Sequence, residues 1–178
     1  MHKNIYILFF FLFSWFNAMS QLVINNNSPY NDPVFLIDSV LLGDGVIASS
    51  HLFQGDPMQI GFFDAINTPF SFKTGVVMGT GDVNLLDPNF SGTVFDPPNN
   101  VTDPDLLNVA NEVPPLIGQT FTVSSIHDVA KLEFDFIPYS DSLKFEYIFG
   151  SSEYFQYENT QFNDVFGFFL SGPGISGP

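Results

Sequence analysis

Leu132-Glu133-Phe134-Asp135-Phe136-Ile137-Pro138 is followed, after Tyr139-Ser140-Asp141-Ser142, by Leu143-Lys144-Phe145-Glu146-Tyr147-Ile148-Phe149. In both stretches apolar side chains alternate with charged ones, and a period of two places Leu132, Phe134 and Phe136, then Leu143, Phe145, Tyr147 and Phe149, on one face of a strand. The connection has hairpin length. An antiparallel pair is therefore predicted, with Glu133 or Asp135 set across from Lys144, because opposite charges facing each other stabilise a register and like charges oppose it.

Further strands are predicted on both sides. Val34 to Leu42 and Val46 to Phe53 flank Gly43-Asp44-Gly45 and read as a hairpin, with Gln59 to Phe63, Phe70 to Met78 and Thr120 to Ser125 after them. Val165 to Leu170 is apolar on both faces, as a central strand is, and Ser171-Gly172-Pro173-Gly174 ends it. Between Asn84 and Pro115 the chain is acidic and proline-rich, with only Asp105 to Val113 able to form a short helix. The expected class is all-β, an antiparallel β-sandwich of jelly-roll type.

The amino terminus reads as an export signal. His2 and Lys3 precede an apolar run from Ile5 to Phe16, and Ala18-Met19-Ser20 supplies small residues at a cleavage site, so residues 1–20 are expected to leave and the domain to occupy residues 21–178. The run is shorter than the ~20 residues a spanning helix needs, and Asp, Pro or Gly interrupts every later apolar segment, so no membrane span is expected in the mature chain. The product is expected to be secreted or held on the extracellular face of the outer membrane.

Composition limits the chemistry. Lys and Arg number 4 against 19 acids, a formal charge of -15, so nucleic acid is excluded as a partner and divalent cations are the natural counter-ions. Hydrophobic residues make up 45% and Phe alone numbers 23, enough apolar surface to fold. Cysteine is absent, which removes disulfides and Cys-ligated zinc.

No catalytic constellation stands out. His51 and His127 lie in no metalloprotease motif, no serine sits in G-x-S-x-G or S-x-x-K, and Gly79-Thr80-Gly81-Asp82 lacks the lysine of a phosphate cradle. Glu133 and Asp135 are either paired acids for glycoside hydrolysis or a solvated strand face.

Glu153, Asn163 and Asp164 fall at the end of one predicted strand and the start of the next, and could supply oxygens to calcium, or serve as turn and backbone partners. Asp82-Val83-Asn84 with Asp87 reads as a plain turn. The cluster Asp96, Asn99, Asn100, Asp103 and Asp105 is either a cation trap or a solvated loop. Tyr154, Phe155, Tyr157 and Phe162 crowd a polar connection, as a platform for carbohydrate or protein or as a core plug.

Three ordered motifs carry a family resemblance: the 132–138 stretch, Phe145 to Tyr154 through Gly150-Ser151-Ser152-Glu153, and Asn163-Asp164-Val165-Phe166-Gly167-Phe168-Phe169-Leu170-Ser171-Gly172-Pro173-Gly174. They resemble the choice-of-anchor L domain, and Leu41 to Val46, Gln59 to Phe63 and Gly75 to Gly81 are similar to its earlier pattern. The resemblance implies an extracellular β domain of gliding gram-negative bacteria, joined to varied sorting signals, many for type IX secretion. It also implies further strands past the Gly-Pro loop, so the domain is expected to be incomplete at its C-terminus.

Where the family shows Ser-Glu-Glu-Tyr this chain has Ser151-Ser152-Glu153-Tyr154, one carboxylate fewer, which weakens a metal role there. Asp141-Ser142-Leu143 and Asp38-Ser39-Val40 resemble the O-glycosylation sequence of such bacteria, with Ser142, in a loop, better placed than Ser39, in a predicted strand. The expected function is a non-catalytic adhesion or surface-display module, calcium-stabilised, with a surface carbohydrate or protein as partner. The rival is a carbohydrate-active hydrolase.

Overall fold

The computed structural model describes residues 21–90, 101–151, 157, 160, 162 and 164–175. Their elements run β1 (Val23–Asn25), α1 (Pro33–Leu36), a π-helical turn (Ile37–Leu41), β2 (Val46–Gln54), β3 (Ile60–Asp64), β4 (Thr74–Met78), α2 (Pro104–Leu116) and β5 (Lys131–Pro138), with short 3₁₀ turns after β2 and β4. All strands are antiparallel. They form one sheet of order β1-β3-β4 and a second of β2 with β5, which is the expected all-β class with few, short helices.

The predicted strand from Val34 to Leu42 is helical instead. Asp32 caps it by accepting the Val34 amide at 3.0 Å and Pro33 holds the first turn, a start signal that outranks the apolar run behind it. The Leu42 amide then bonds the Ile37 carbonyl at 3.0 Å, which makes the second half a π turn and points both Leu36 and Ile37 into the interior. The Val34–Phe53 hairpin is thereby lost, and β2 is free to find another partner.

That partner is β5. Val46 pairs with Pro138 and Gln54 with Lys131, so Asp135 faces Ser49 and Glu133 faces Leu52, and neither meets Lys144 as expected. Pro138-Tyr139-Ser140-Asp141-Ser142 contains no glycine to take a left-handed turn position, and the Tyr139 amide donates to the Gly45 carbonyl at 2.8 Å, so the chain continues along β2 rather than folding back. A bulge interrupts the pairing between Ser49 and Leu52, with Ser50 at φ 56°.

Two cores result. Leu36, Ile37, Ile60 and Val83 are fully buried in the first part of the chain, and there the buried Gln59 amide is fully used: Oε1 accepts from the Asp56 amide at 2.7 Å, and Nε2 donates to the carbonyls of Thr80 and Asp128, each at 2.9 Å. The second gathers Ala110 of α2 with Val123, Ile126 and Val129. Thr120 to Ser125 is not a strand because Asn111 of α2 takes the place of a neighbouring chain: its Nδ2 donates to the Val123 carbonyl at 3.0 Å and its Oδ1 accepts the Val123 amide at 2.9 Å.

Candidate functional site

The helix α2 is fixed at its start. Asp103 accepts the amides of Asp105 at 2.9 Å and Leu106 at 3.0 Å, and its second oxygen takes the Lys131 ammonium of β5 at 2.9 Å, so one buried carboxylate ties helix to sheet. Burial alone would push the Asp103 carboxyl up. The Lys131 hydrogen bond and charge, with the two helix amides, outweigh it and hold the carboxyl below its usual range, while the bond to Asp103 raises Lys131 above its own. Asp103 and Asp105 are thus a helix start, and Asp96, Asn99 and Asn100 of that cluster lie outside the described residues.

Val109 and Val113 lie one turn apart on α2. Across from them run residues 143–149 and 164–170, which contain the two stretches expected as strands, Leu143 to Phe149 and Val165 to Leu170, and which no ladder joins to either sheet. Their rings pair instead. Phe145 stacks on Phe168 with centroids 4.3 Å apart, Tyr147 on Phe166 at 5.2 Å, and Phe149 lies 6.2 Å from Phe166. As one number rises the other falls, so the two stretches form an antiparallel aromatic ribbon.

One side of the ribbon meets α2. Val165 packs against the second core, and a Cβ on Gly167 would come within 2.9 Å of Leu106 Cδ2 and 2.6 Å of Phe169 Cζ, so the backbone passes close to the helix there. The rings themselves stay open to solvent, with exposure from 42% at Phe145 to 60% at Tyr147. The stretch from Val165 to Leu170, expected to be buried on both faces, is only partly covered, at Val165 and Gly167. Between ribbon and helix lies an open groove of about 290 Å³, lined by Val109, Ala110 and Val113 on one wall and Tyr147, Phe149 and Phe166 on the other, with the Asp164 carboxylate at its edge.

Asp164 is the described member of the expected calcium trio, and it accepts a hydrogen bond from Ser151 Oγ at 2.8 Å. Glu153 and Asn163 lie outside the described residues, as do Tyr154 and Phe155 of the aromatic platform. Tyr157 and Phe162 meet edge to face at 6.0 Å and stay exposed. Ser142 is exposed beyond β5, and Ser39 is exposed too, on the π turn rather than in a strand.

The remaining candidates are in ordinary roles. Asp82 caps a 3₁₀ turn by accepting the Asn84 amide at 2.9 Å, and Asp87 accepts the Asn89 amide at 2.8 Å, the main contact holding its carboxyl below the usual range. Glu133 is held at 3.3 Å by Lys131 and shares an exposed face of β5 with Asp135. His51 meets Asp38 at 2.9 Å and His127 meets Ser125 at 2.8 Å. Among the described residues no three His, Asp or Glu side chains converge as a metal site would require, and no helix is long and apolar enough to cross a membrane.

The groove and ribbon are only half visible in the sequence. Alternation marks the ring stripe at 145, 147 and 149, but assigns it to an interior, and the 109/113 stripe of α2 carries no sign of what it faces.

Residues 23–177 match the family described as the choice-of-anchor L domain. The chain belongs to that family. A choice-of-anchor L domain is a surface-associated extracellular module, which fits an acidic, cysteine-free chain with rings open to solvent. No curated protein and no solved structure matches it.

Proposed function

We propose that this choice-of-anchor L domain is a non-catalytic contact module, serving adhesion or display on a surface linked to gliding or type IX secretion, after export directed by residues 1–20. The observation that carries this reading is the ribbon of Phe145, Tyr147, Phe149, Phe166 and Phe168, because a contiguous patch of exposed aromatic rings is costly in water and marks a surface that meets something else. The pairing of Glu133 with Lys131 supports a solvated strand face over a hydrolytic acid pair.

The test is retention of protein-coated beads on immobilised surface polysaccharide and surface protein. Phe145→Ser with Phe168→Ser should abolish retention while the far-ultraviolet spectrum stays unchanged; undiminished retention would remove the ribbon from the function. Calcium, held by Glu153, Asn163 and Asp164, is proposed as structural support. Thermal unfolding in calcium should then lie above that in chelator, and Asp164→Asn should erase the difference. Equal midpoints for the native chain would dismiss the metal.

A further inference from the structure

We propose that the groove between α2 and the ribbon binds the guanidinium of an arginine side chain presented by a basic polypeptide, an inference that rests on reading the ribbon as a contact surface and names what it contacts. The lining decides the chemistry. Tyr147, Phe149 and Phe166 supply aromatic rings, Asp164 a carboxylate, and Val109, Ala110 and Val113 an apolar wall. A cation over an aromatic face is attracted by the ring quadrupole, and a planar guanidinium stacks on such a ring while donating two hydrogen bonds to a carboxylate.

Size and geometry agree. About 290 Å³ lies at the low end of small-molecule pockets and suits one or two side chains. The Tyr147 and Phe166 rings are already stacked, within 24° of parallel, so a planar group laid on the outer face of either ring would extend that stack. A neutral sugar would need several hydrogen-bond partners, and among the described lining residues the polar side chains are Asp164 and Tyr147.

Charge narrows the source. At -15 the chain repels acidic partners and attracts basic ones over distances of a Debye length. A second copy is a poor occupant. The chain's four Lys and Arg residues are all lysine; Lys73 donates to the carbonyls of Thr68 and Phe70, Lys131 is bound by Asp103 and Glu133, and Lys144 by Glu146, while Lys3 lies outside the described residues. The chain also has no arginine, so an arginine in the groove comes from another molecule.

The experiment titrates the purified protein, in chelator so that calcium does not occupy Asp164, with a short peptide carrying one arginine among neutral residues. Its citrulline counterpart, choline and a neutral oligosaccharide run beside it, with binding read from amide chemical shifts. The arginine peptide should saturate and shift residues of the groove, and the citrulline peptide should not. Asp164→Asn should weaken binding about tenfold and Phe166→Leu or Tyr147→Leu about three-fold, whereas Asp44→Asn, which removes the same charge from an exposed turn that does not line the groove, should leave it unchanged.

Equal binding of citrulline, or equal weakening by Asp164→Asn and Asp44→Asn, would overturn the proposal by showing diffuse or apolar attraction. Tighter binding of choline would replace the peptide with a lipid headgroup, and a concentration-dependent dimer lost in Phe166→Leu would place a second copy in the groove. Binding of the oligosaccharide alone would overturn the cation while leaving the contact-surface reading intact. Loss of that reading as well would show in bead retention that no ring substitution alters.

Discussion

Single side chains hold this domain together where its sheets are small. Gln59 is the clearest case, because its buried amide serves one backbone N–H and two carbonyls from three separate segments. Gln59→Leu keeps the volume and strands all three groups, at about 1 to 3 kcal/mol for each one left unsatisfied. Urea denaturation should therefore show a loss of at least about 3 kcal/mol, and a loss below about 1 kcal/mol would mean that water replaces the amide.

Asp103 makes a second test at this scale. Its carboxyl lies below the usual range in the folded chain, so its contribution is present above the unfolded value and fades as pH falls toward and through the folded one. Lys131 lies above its usual range, so its contribution is present below the unfolded value and fades as pH rises through the folded one, at the alkaline end. Asp103→Asn should flatten the acid limb of a stability-against-pH curve, beginning near pH ~4, and lower the plateau by about 2 kcal/mol. An unchanged acid limb would show that the pair contributes nothing.

Among the elements, β2 carries the feature most open to test. Ser50 sits at φ 56° in the bulge, a conformation that costs a non-glycine residue about 1 to 2 kcal/mol and a β-branched one more. Ser50→Val should lower the unfolding midpoint, while Ser50→Gly should not; if both fell equally, the bulge would be held by the serine hydroxyl rather than by backbone conformation.

How much is legible in the sequence also divides by element. Val46 to Phe53 and Gln59 to Phe63 appear within a residue or two of β2 and β3, and the helix expected from Asp105 to Val113 grows to Pro104–Leu116, because alternation and turn residues are local signals. Val34 to Leu42 is one exception, since an apolar run of that length suits either state and the Asp32-Pro33 start decides it, and Thr120 to Ser125, Leu143 to Phe149 and Val165 to Leu170 are others, extended stretches that join no ladder. Pairing is not legible at all: the union of β5 with β2, the Asp103–Lys131 link and the meeting of Phe145 with Phe168 are contacts between distant segments that no local pattern encodes. The groove belongs with these. Its lining comes from three stretches of chain, and the expected calcium trio shows only that a carboxylate stands near their junction.

At the scale of the whole molecule, charge outweighs any single contact. With 19 acids against 4 basic residues the folded chain repels itself, and raising the salt from about 0.01 M to about 1 M shortens the screening length from ~30 Å to ~3 Å. The thermal midpoint should rise across that range in a potassium chloride series, without calcium. A midpoint that falls would mean that attractive pairs such as Asp103 with Lys131 outweigh the general repulsion.

The union of β2 with β5 has a kinetic consequence. Everything from Gly55 to Ala130 must be synthesised before β2 meets its partner, so this sheet depends on a late, non-local contact and closes slowly. Until then β2 has an open edge with no native partner. A chain that stays unpaired for so long is easy to thread through an export channel, and the same delay exposes it to aggregation wherever folding is attempted at high concentration.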